Sequence, residues 1–278
     1  MPNLQANNTI LIDGNAYLYR FFHGSEPRYN QDNHPTNVIY RYMVFLRTCL
    51  LRYKPGRLIV VFDAPGKNFR HDLFPDYKAH RHPMPEELSV QIEPVKKAIS
   101  LLGIPIFEIP GVEADDSIAS LADHYSTSGD ISYIFSIDKD LIQLVCENIH
   151  IVHDRKRLLI DSDFVKNKYG VGPEQIIDLL ALTGDDADNI PGVEGVGPKT
   201  AARLLQTWGT VENIIANANW VKGKVGEHLR NSVDKLILSK QLTTIKRDVP
   251  LNLEYNKGEL VPVDRVGIDA FCDTYELR

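Results

Sequence analysis

Cysteine is scarce: Cys49, Cys146 and Cys272 are the three in 278 residues, widely spaced and in no CxxC or Cys/His grouping. A set that is odd and scattered builds neither a disulfide framework nor a structural zinc site, so all three read as buried thiols. Long apolar runs are missing as well. The strongest, 58–62 and 104–107, fall far short of the roughly 20 residues that a membrane-spanning helix needs. The opening MPNLQANN has no cationic stretch and no apolar core of signal-peptide length, so a cytosolic protein is expected. Positive charge is in deficit, since 31 Lys and Arg against 37 Asp and Glu leave −6, and this excludes a uniformly basic coat for nucleic acid. There is no GxSxG, no HExxH and no cysteine in motif spacing with histidine, so the familiar side-chain nucleophiles are absent. The nine histidines read mostly as surface or core residues, with His71, His80 and His82 set apart by where they fall.

What is present is the balance of a globular chain, 43% hydrophobic and 24% charged, long enough for one large domain or two smaller ones. Short β-prone runs at 9–12, 58–62, 104–109, 131–137 and 149–152 alternate with helix-period segments at 38–52, 85–102 and 114–125. That alternation predicts an α/β domain, a mostly parallel sheet flanked by helices, with ligands beyond the carboxyl ends of the strands. After about residue 163 the strand signals fade, and 173–182, 199–208 and 227–244 read as helices. The expected division is therefore a catalytic domain over 1–165, with an arch at about 66–90, and a mainly helical module over 166–278.

Carboxylates gather where the strands end. Asp13, Asp63 and Asp138 each follow an apolar run, and PGVEADD puts Glu113, Asp115 and Asp116 at a helix start, Glu113 and Asp116 on one face. Asp140 lies two beyond Asp138, and TGDDADN adds Asp185 and Asp188. Each group has an ordinary explanation alone: a helix cap, a first-turn acid facing the helix dipole, a solvated pair around Lys139, a turn before Pro191. Together they require coincidences at one sheet edge. Nine carboxylates in one place would repel unless hard cations neutralise them, and an all-oxygen set selects Mg²⁺ or Mn²⁺ over zinc. Paired divalent ions suit hydrolysis of a phosphodiester.

Two further segments point to nucleic acid. KNFRHDLFPDYKAHRHPMP, 67–85, interleaves Lys67, Arg70, Lys78 and Arg81 with Phe69, Phe74 and Tyr77, a pattern for phosphate contact and base stacking. A solvated amphipathic pair with its aromatics packed inward is the plainer alternative. PGVEGVGPKTA, 191–201, sets Gly192, Gly195 and Gly197 before a helix that starts near Lys199, with Thr200 and Arg203 following. Pro198 breaks the GK[ST] of a nucleotide-binding loop; two helices joined by a glycine hairpin, a helix-hairpin-helix over about 173–208, would suit gripping a DNA backbone, and an ordinary helix-helix turn is the plainer alternative. From 199 to 247 nine Lys/Arg stand against three acids, a local +6.

LIDGNAYLYRFFH, VVFDAPGKNFRH, YKAHR, PGVEADDSIASLA, SIDKDLIQLV, LTGDDADNIPGVEGVGPKTAARLL and the closing FCDTYELR together resemble the 5' nuclease (flap endonuclease) family, and within it the amino-terminal 5'-3' exonuclease domain of bacterial DNA polymerase I. The likeness spans nearly the whole chain; Asp186 and Ala187 stand where members vary. It implies a PIN-like fold and a bacterial cytosolic nuclease that removes 5' flaps and RNA primer ends in replication and repair. It implies one ion on Asp63, Glu113, Asp115 and Asp116, a second on Asp138, Asp140, Asp185 and Asp188, with Asp13 close by and room for two or three ions in all. It further implies that Lys78 touches the scissile phosphate, Arg70 and Arg81 guide the single strand, Tyr77 stacks near it and Arg20 adds a phosphate contact. The 192–199 loop would hold K⁺ against duplex phosphate. Nothing demands more than a monomer, and the absence of a polymerase segment after Arg278 fits an excised domain and a free-standing relative equally. The rivals are a PIN-type single-strand ribonuclease, which would not need the glycine hairpin, and a branched-DNA-binding scaffold, whose acidic cluster would be incomplete.

Overall fold

The computed structural model describes residues 8–127, 129–253 and 258–277; residues 1–7, read above for a leader, and Arg278 of the closing motif fall outside them. The first half runs β1 (Thr9–Asp13), α1 (Gly14–Gly24), α2 (Asn37–Thr48), β2 (Arg57–Phe62), α3 (Phe69–Leu73), α4 (Glu86–Ser89), α5 (Ile92–Leu101), β3 (Ile106–Glu108), α6 (Ala114–Thr127), β4 (Ser132–Phe135), β5 (Ile149–His153) and β6 (Leu158–Ile160). The second half is helical: α7 (Ser162–Tyr169), α8 (Ile176–Thr183), α9 (Pro198–Trp208), α10 (Val211–Ala216), α11 (Gly223–Asn231), α12 (Val233–Thr243) and α13 (Arg265–Thr274). No helix among the described residues is long and apolar enough to cross a membrane.

The six strands lie in the order β3-β2-β1-β4-β5-β6, parallel except for β6 at the edge. The chain builds outward from β1 to β3 and then crosses back to β4, so β1 has a neighbour on each side and the crevice beyond β1 and β4 is a switch point open to ligands. Side chains of β1 alternate between layers. Ile10 and Ile12 pack with α1, α2 and α5, while Leu11 faces α6. Leu11 also shares its core with Leu180 of α8, Leu205 of α9, Ile214 of α10 and Leu236 of α12, so sheet and helical half have one apolar interior.

Several boundaries differ from those expected. The stretch 85–102 divides into α4 and α5, with the buried Gln91 between them accepting from Val38 and Ile39 N–H at the start of α2. The stretch 227–244 breaks at Ser232, and 38–52 ends in a π-turn, Cys49–Tyr53, closed by Lys54 at φ 44° just before Pro55. The arch is helical only in α3 and α4, since Pro75, Pro83 and Pro85 remove backbone donors between them. At the end of the expected 166–278 module, Val261 N donates to Gly103 O and Asp264 N to Leu101 O, which seats α13 on the α5 layer of the sheet.

Candidate active site

Parallel neighbours in the order β3-β2-β1-β4 bring their carboxyl ends side by side, roughly 4.8 Å from strand to strand. Asp13 closes β1 and Asp63 follows β2 directly, while Asp138 stands three residues past β4, after Ser136 and Ile137. Gly14 lets α1 leave β1 tightly: a Cβ there would lie 2.6 Å from the Phe62 ring. Asp13 is also the cap of α1, accepting from Ala16 N at 3.0 Å, and Asp63 accepts from Ala114 N at 2.8 Å at the start of α6. The ordinary capping role and a place in the cluster are thus held by the same side chains.

A cavity of about 230 Å³ opens at this edge, lined by Asp13, Asp63, Glu113, Asp115, Asp138, Asp140 and Asp188 together with Lys78 and Arg81. Asp185 stands beside it, and carboxylate oxygens of Asp140, Asp185 and Asp188 lie within 4.8 Å of one another. Burial and the charges of Asp138 and Asp63 push Asp13 up to about 7, with Ala16 and Ser136 opposing. Burial, then the charge of Asp138, pushes Asp140 up to about 7. Asp115 rises well above the carboxylate range through burial and the charges of Asp138, Asp13, Asp63 and Glu113. Glu113 goes the other way: burial raises it, but Lys78 and Arg70 outweigh that and hold it low.

The donor set fits divalent hard cations. It is all carboxylate oxygen, burial and neighbouring carboxylates raise three of its members, and Asp140 Oδ1 is buried with no hydrogen-bond partner. The cations that do face it come from the arch and from the loop after β4. Lys78 Nζ lies 2.6 Å from Glu113, Arg81 Nη2 lies 2.6 Å from Asp188, and Lys139 Nζ lies 3.0 Å from Asp185. Lys78 holds a left-handed backbone, φ 58°, with its N–H on Asp188 O, so the amine is delivered at some conformational cost.

Four expected residues take other positions. Asp116 is turned from the cavity, fully buried, and both its oxygens accept from Arg70 while Oδ1 also takes Lys246 N–H. Arg70, 2% exposed, contributes to the cavity wall but is enclosed by the protein. Tyr77 is no open stacking face: its ring packs on Ile190 and Leu242, and its hydroxyl donates to Glu113 and Asp188. The aromatics of the arch pack inward, as the plainer alternative had it. Arg20 pairs with Asp154, which also accepts from Tyr17.

Other residues serve the site without having stood out in the sequence. Buried Ser136 donates to Asp13 at 2.8 Å and accepts from Asp138 N at 3.0 Å, tying β1 to β4. Asn68 Nδ2 donates to Glu113 at 2.7 Å. A lone serine or asparagine carries no pattern, and only the fold shows what it touches.

In the hairpin, Gly192 lies against the preceding backbone, where a Cβ would meet Thr183 C at 2.4 Å, and Gly195 has φ 75°. Gly197 precedes α9, whose first turn has no side-chain cap; Lys199 and Arg203 are exposed and Thr200 is half-buried. Lys222, Lys224, Arg230 and Lys235 are exposed as well, whereas Lys240 pairs with Asp178 and Glu212, and Arg247 with Asp123.

Residues 8–170 match the 5'-3' exonuclease N-terminal resolvase-like domain, and residues 171–266 the 5'-3' exonuclease C-terminal SAM fold. A 5'-3' exonuclease of Aquifex aeolicus is 42% identical over 243 residues, 87% of this chain and 83% of that protein. A thermostable DNA polymerase I of Thermus aquaticus is 37% identical over 96% of this chain, which spans 32% of the polymerase. Among solved structures, the T5 5'-exonuclease with divalent metal ions (zinc) bound superposes with a TM-score of 0.72 at 26% identity, covering 97% of this chain and 98% of that one. On the two matched domains and the relatives that share nearly its whole length, this chain belongs to the 5'-3' exonuclease family.

Proposed function

We propose that the chain is a Mg²⁺- or Mn²⁺-dependent 5' nuclease that hydrolyses phosphodiester bonds in flapped or nicked duplex DNA and at RNA-primed ends, both exonucleolytically and as a flap endonuclease. The observation that carries this reading is the acidic cavity at the sheet's switch point with Lys78 and Arg81 over it. Asp63, Glu113 and Asp115 would hold one ion, Asp138, Asp140, Asp185 and Asp188 another, with Asp13 between the groups. Such ions acidify water and neutralise charge on the entering and leaving oxygens of a phosphodiester.

The protein's own part is positioning. Ser136 fixes Asp13 and Asp138 relative to each other. Lys78 and Arg81 offer a phosphate two cations from one turn of the arch, and Tyr77 holds that turn down through Ile190 and Leu242. The glycine hairpin with Lys199 and Arg203 would grip the duplex, K⁺ sitting among its carbonyls. A T5 flap endonuclease crystallised as a pseudo-enzyme-product complex with DNA and metal ions supports the same use here. The polymerase relative supports a role either free-standing or joined to a polymerase.

The test sets a 5'-labelled flap duplex, an RNA single strand and a blunt duplex against the protein, each with Mg²⁺ and with chelator. Flap cutting that needs Mg²⁺ is expected. Cutting that survives chelation, or is confined to the RNA strand, overturns the reading.

A further inference from the structure

Arg70 has five N–H donors, and all five are used inside the protein. Nε donates to Leu242 O at 2.9 Å; Nη1 donates to Asp116 Oδ2 at 2.7 Å and Glu113 Oε2 at 3.1 Å; Nη2 donates to Asp116 Oδ1 at 2.8 Å and Thr244 O at 3.0 Å. Guanidinium and carboxylate meet as a two-bonded fork with 2% and 0% exposure, a geometry that lysine cannot reproduce. The end of α12 and the segment after it are held from both sides: Gln143 donates to Thr243 O and accepts from Ile245 N, Asp116 accepts from Lys246 N, and Lys246 Nζ lies 3.6 Å from the Phe69 ring centroid at the arch base. Upstream on α12, Ser239 donates to Pro191 O in the glycine hairpin. A continuous set of bonds therefore runs from the hairpin through α12 to Arg70 and on to Glu113.

We infer that Arg70 and Asp116 form a buried locking pair that fixes Glu113 and joins the arch base and the helical half to α6, Asp116 serving as a positioning residue and not as an ion ligand. The inference rests on the ion-dependent reading of the cavity above. Glu113 and Asp116 both face Arg70, while Asp115, between them, faces the cavity. Three hydrogen bonds already occupy most of the roughly four lone-pair sites of Asp116, and the carboxylate is fully buried and turned from the cavity, so an ion would have to compete with the fork for the same oxygens inside the protein.

Two experiments test the pair. Crystals of the full chain with saturating Mn²⁺ locate ions by anomalous scattering. An ion ligated by Glu113 with the Arg70 fork intact is the expected result, and an ion in direct contact with an Asp116 oxygen overturns the inference. The second is a double-mutant cycle of Arg70→Gln, Asp116→Asn and both together, read by denaturant midpoint without ions and by Mn²⁺ titration without DNA. Each single change leaves one buried charge alone and should lower the midpoint; the double variant should recover much of it and bind the parent's number of ions. Arg70→Lys, folded at the assay temperature, should still bind Mn²⁺ about tenfold more weakly, because a lost supporting bond loosens Glu113. A folded double variant lacking one Mn²⁺ site, or Arg70→Lys with parental Mn²⁺ affinity, overturns the inference. A parent that binds Mn²⁺ yet leaves every flap uncut sinks the proposed function instead, and the cycle still reads the pair.

Discussion

Lys78 carries two constraints at one position. Its amine reaches Glu113, and its backbone sits at φ 58°, a region where glycine is at ease and lysine is not. A residue kept in that conformation for its side chain should be sensitive to loss of the amine. Lys78→Ala is expected to slow single-turnover flap cleavage about 10²-fold, the scale of losing one preorganised donor to a developing charge, with flap binding little changed. Lys78→Gly should show the same rate loss while relieving the backbone. A parental single-turnover rate in either variant removes Lys78 from the chemistry. Away from the site, His150 on β5 is half-buried against Tyr133, its Nδ1 without a hydrogen-bond partner, and burial lowers its pKa with Asp161 opposing. The unfolded chain then takes the proton first, so this residue's contribution to stability falls as pH drops below about 6.5. His150→Phe should lose less of its denaturant midpoint than the parent between pH 7 and pH 5. Parallel losses in the two proteins would show that His150 does not set this slope.

Among the elements, α9 is the one that the proposed function sets against duplex phosphate, since it starts from a glycine hairpin with Lys199 and Arg203 exposed on its first two turns. If each cation releases one counterion on binding, Lys199→Ala and Arg203→Ala should each reduce the slope of log K against log salt by about 1, without changing which base sequence is bound. An unchanged slope would place the duplex elsewhere. The hairpin could be read in advance because glycines and Pro198 act locally, and Asp13 and Asp63 because a charge at the end of an apolar run reports the strand's end. Asp116 could not be placed so fully. Three-residue spacing rightly put it on one face with Glu113, yet that face looks onto Arg70, forty-six residues away in sequence, and no local pattern records such a partner. The strand β6 escapes a sequence reading because three residues are too few to show alternation, and the seat of α13 escapes it because its docking depends on Gly103 and Leu101 carbonyls far upstream.

At the scale of the whole molecule, the sequence divides more sharply than the fold does. Family models change at residues 170 and 171, but Leu11 of the sheet and Leu205, Ile214 and Leu236 of the helical half share one core, and α13 closes back over the opposite layer. Independent motion is the usual expectation for two modules joined by a small polar contact; a common apolar interior removes that freedom. Unfolding should therefore be a single cooperative transition. Two native residues report on opposite sides: Trp208 at the end of α9, packed on the shared core, and Cys49 beyond α2, 1% exposed in the other layer. Trp220 is 76% exposed and should change little in fluorescence, so the emission shift belongs mainly to Trp208. Alkylation of Cys49, resolved by mass spectrometry from the exposed Cys146 and half-buried Cys272, should follow the same guanidinium midpoint as that shift. Separated midpoints, with Trp208 released before Cys49 becomes reactive, would mean that the helical half melts on its own and that the bonds from hairpin to Glu113 do not carry stability between the halves.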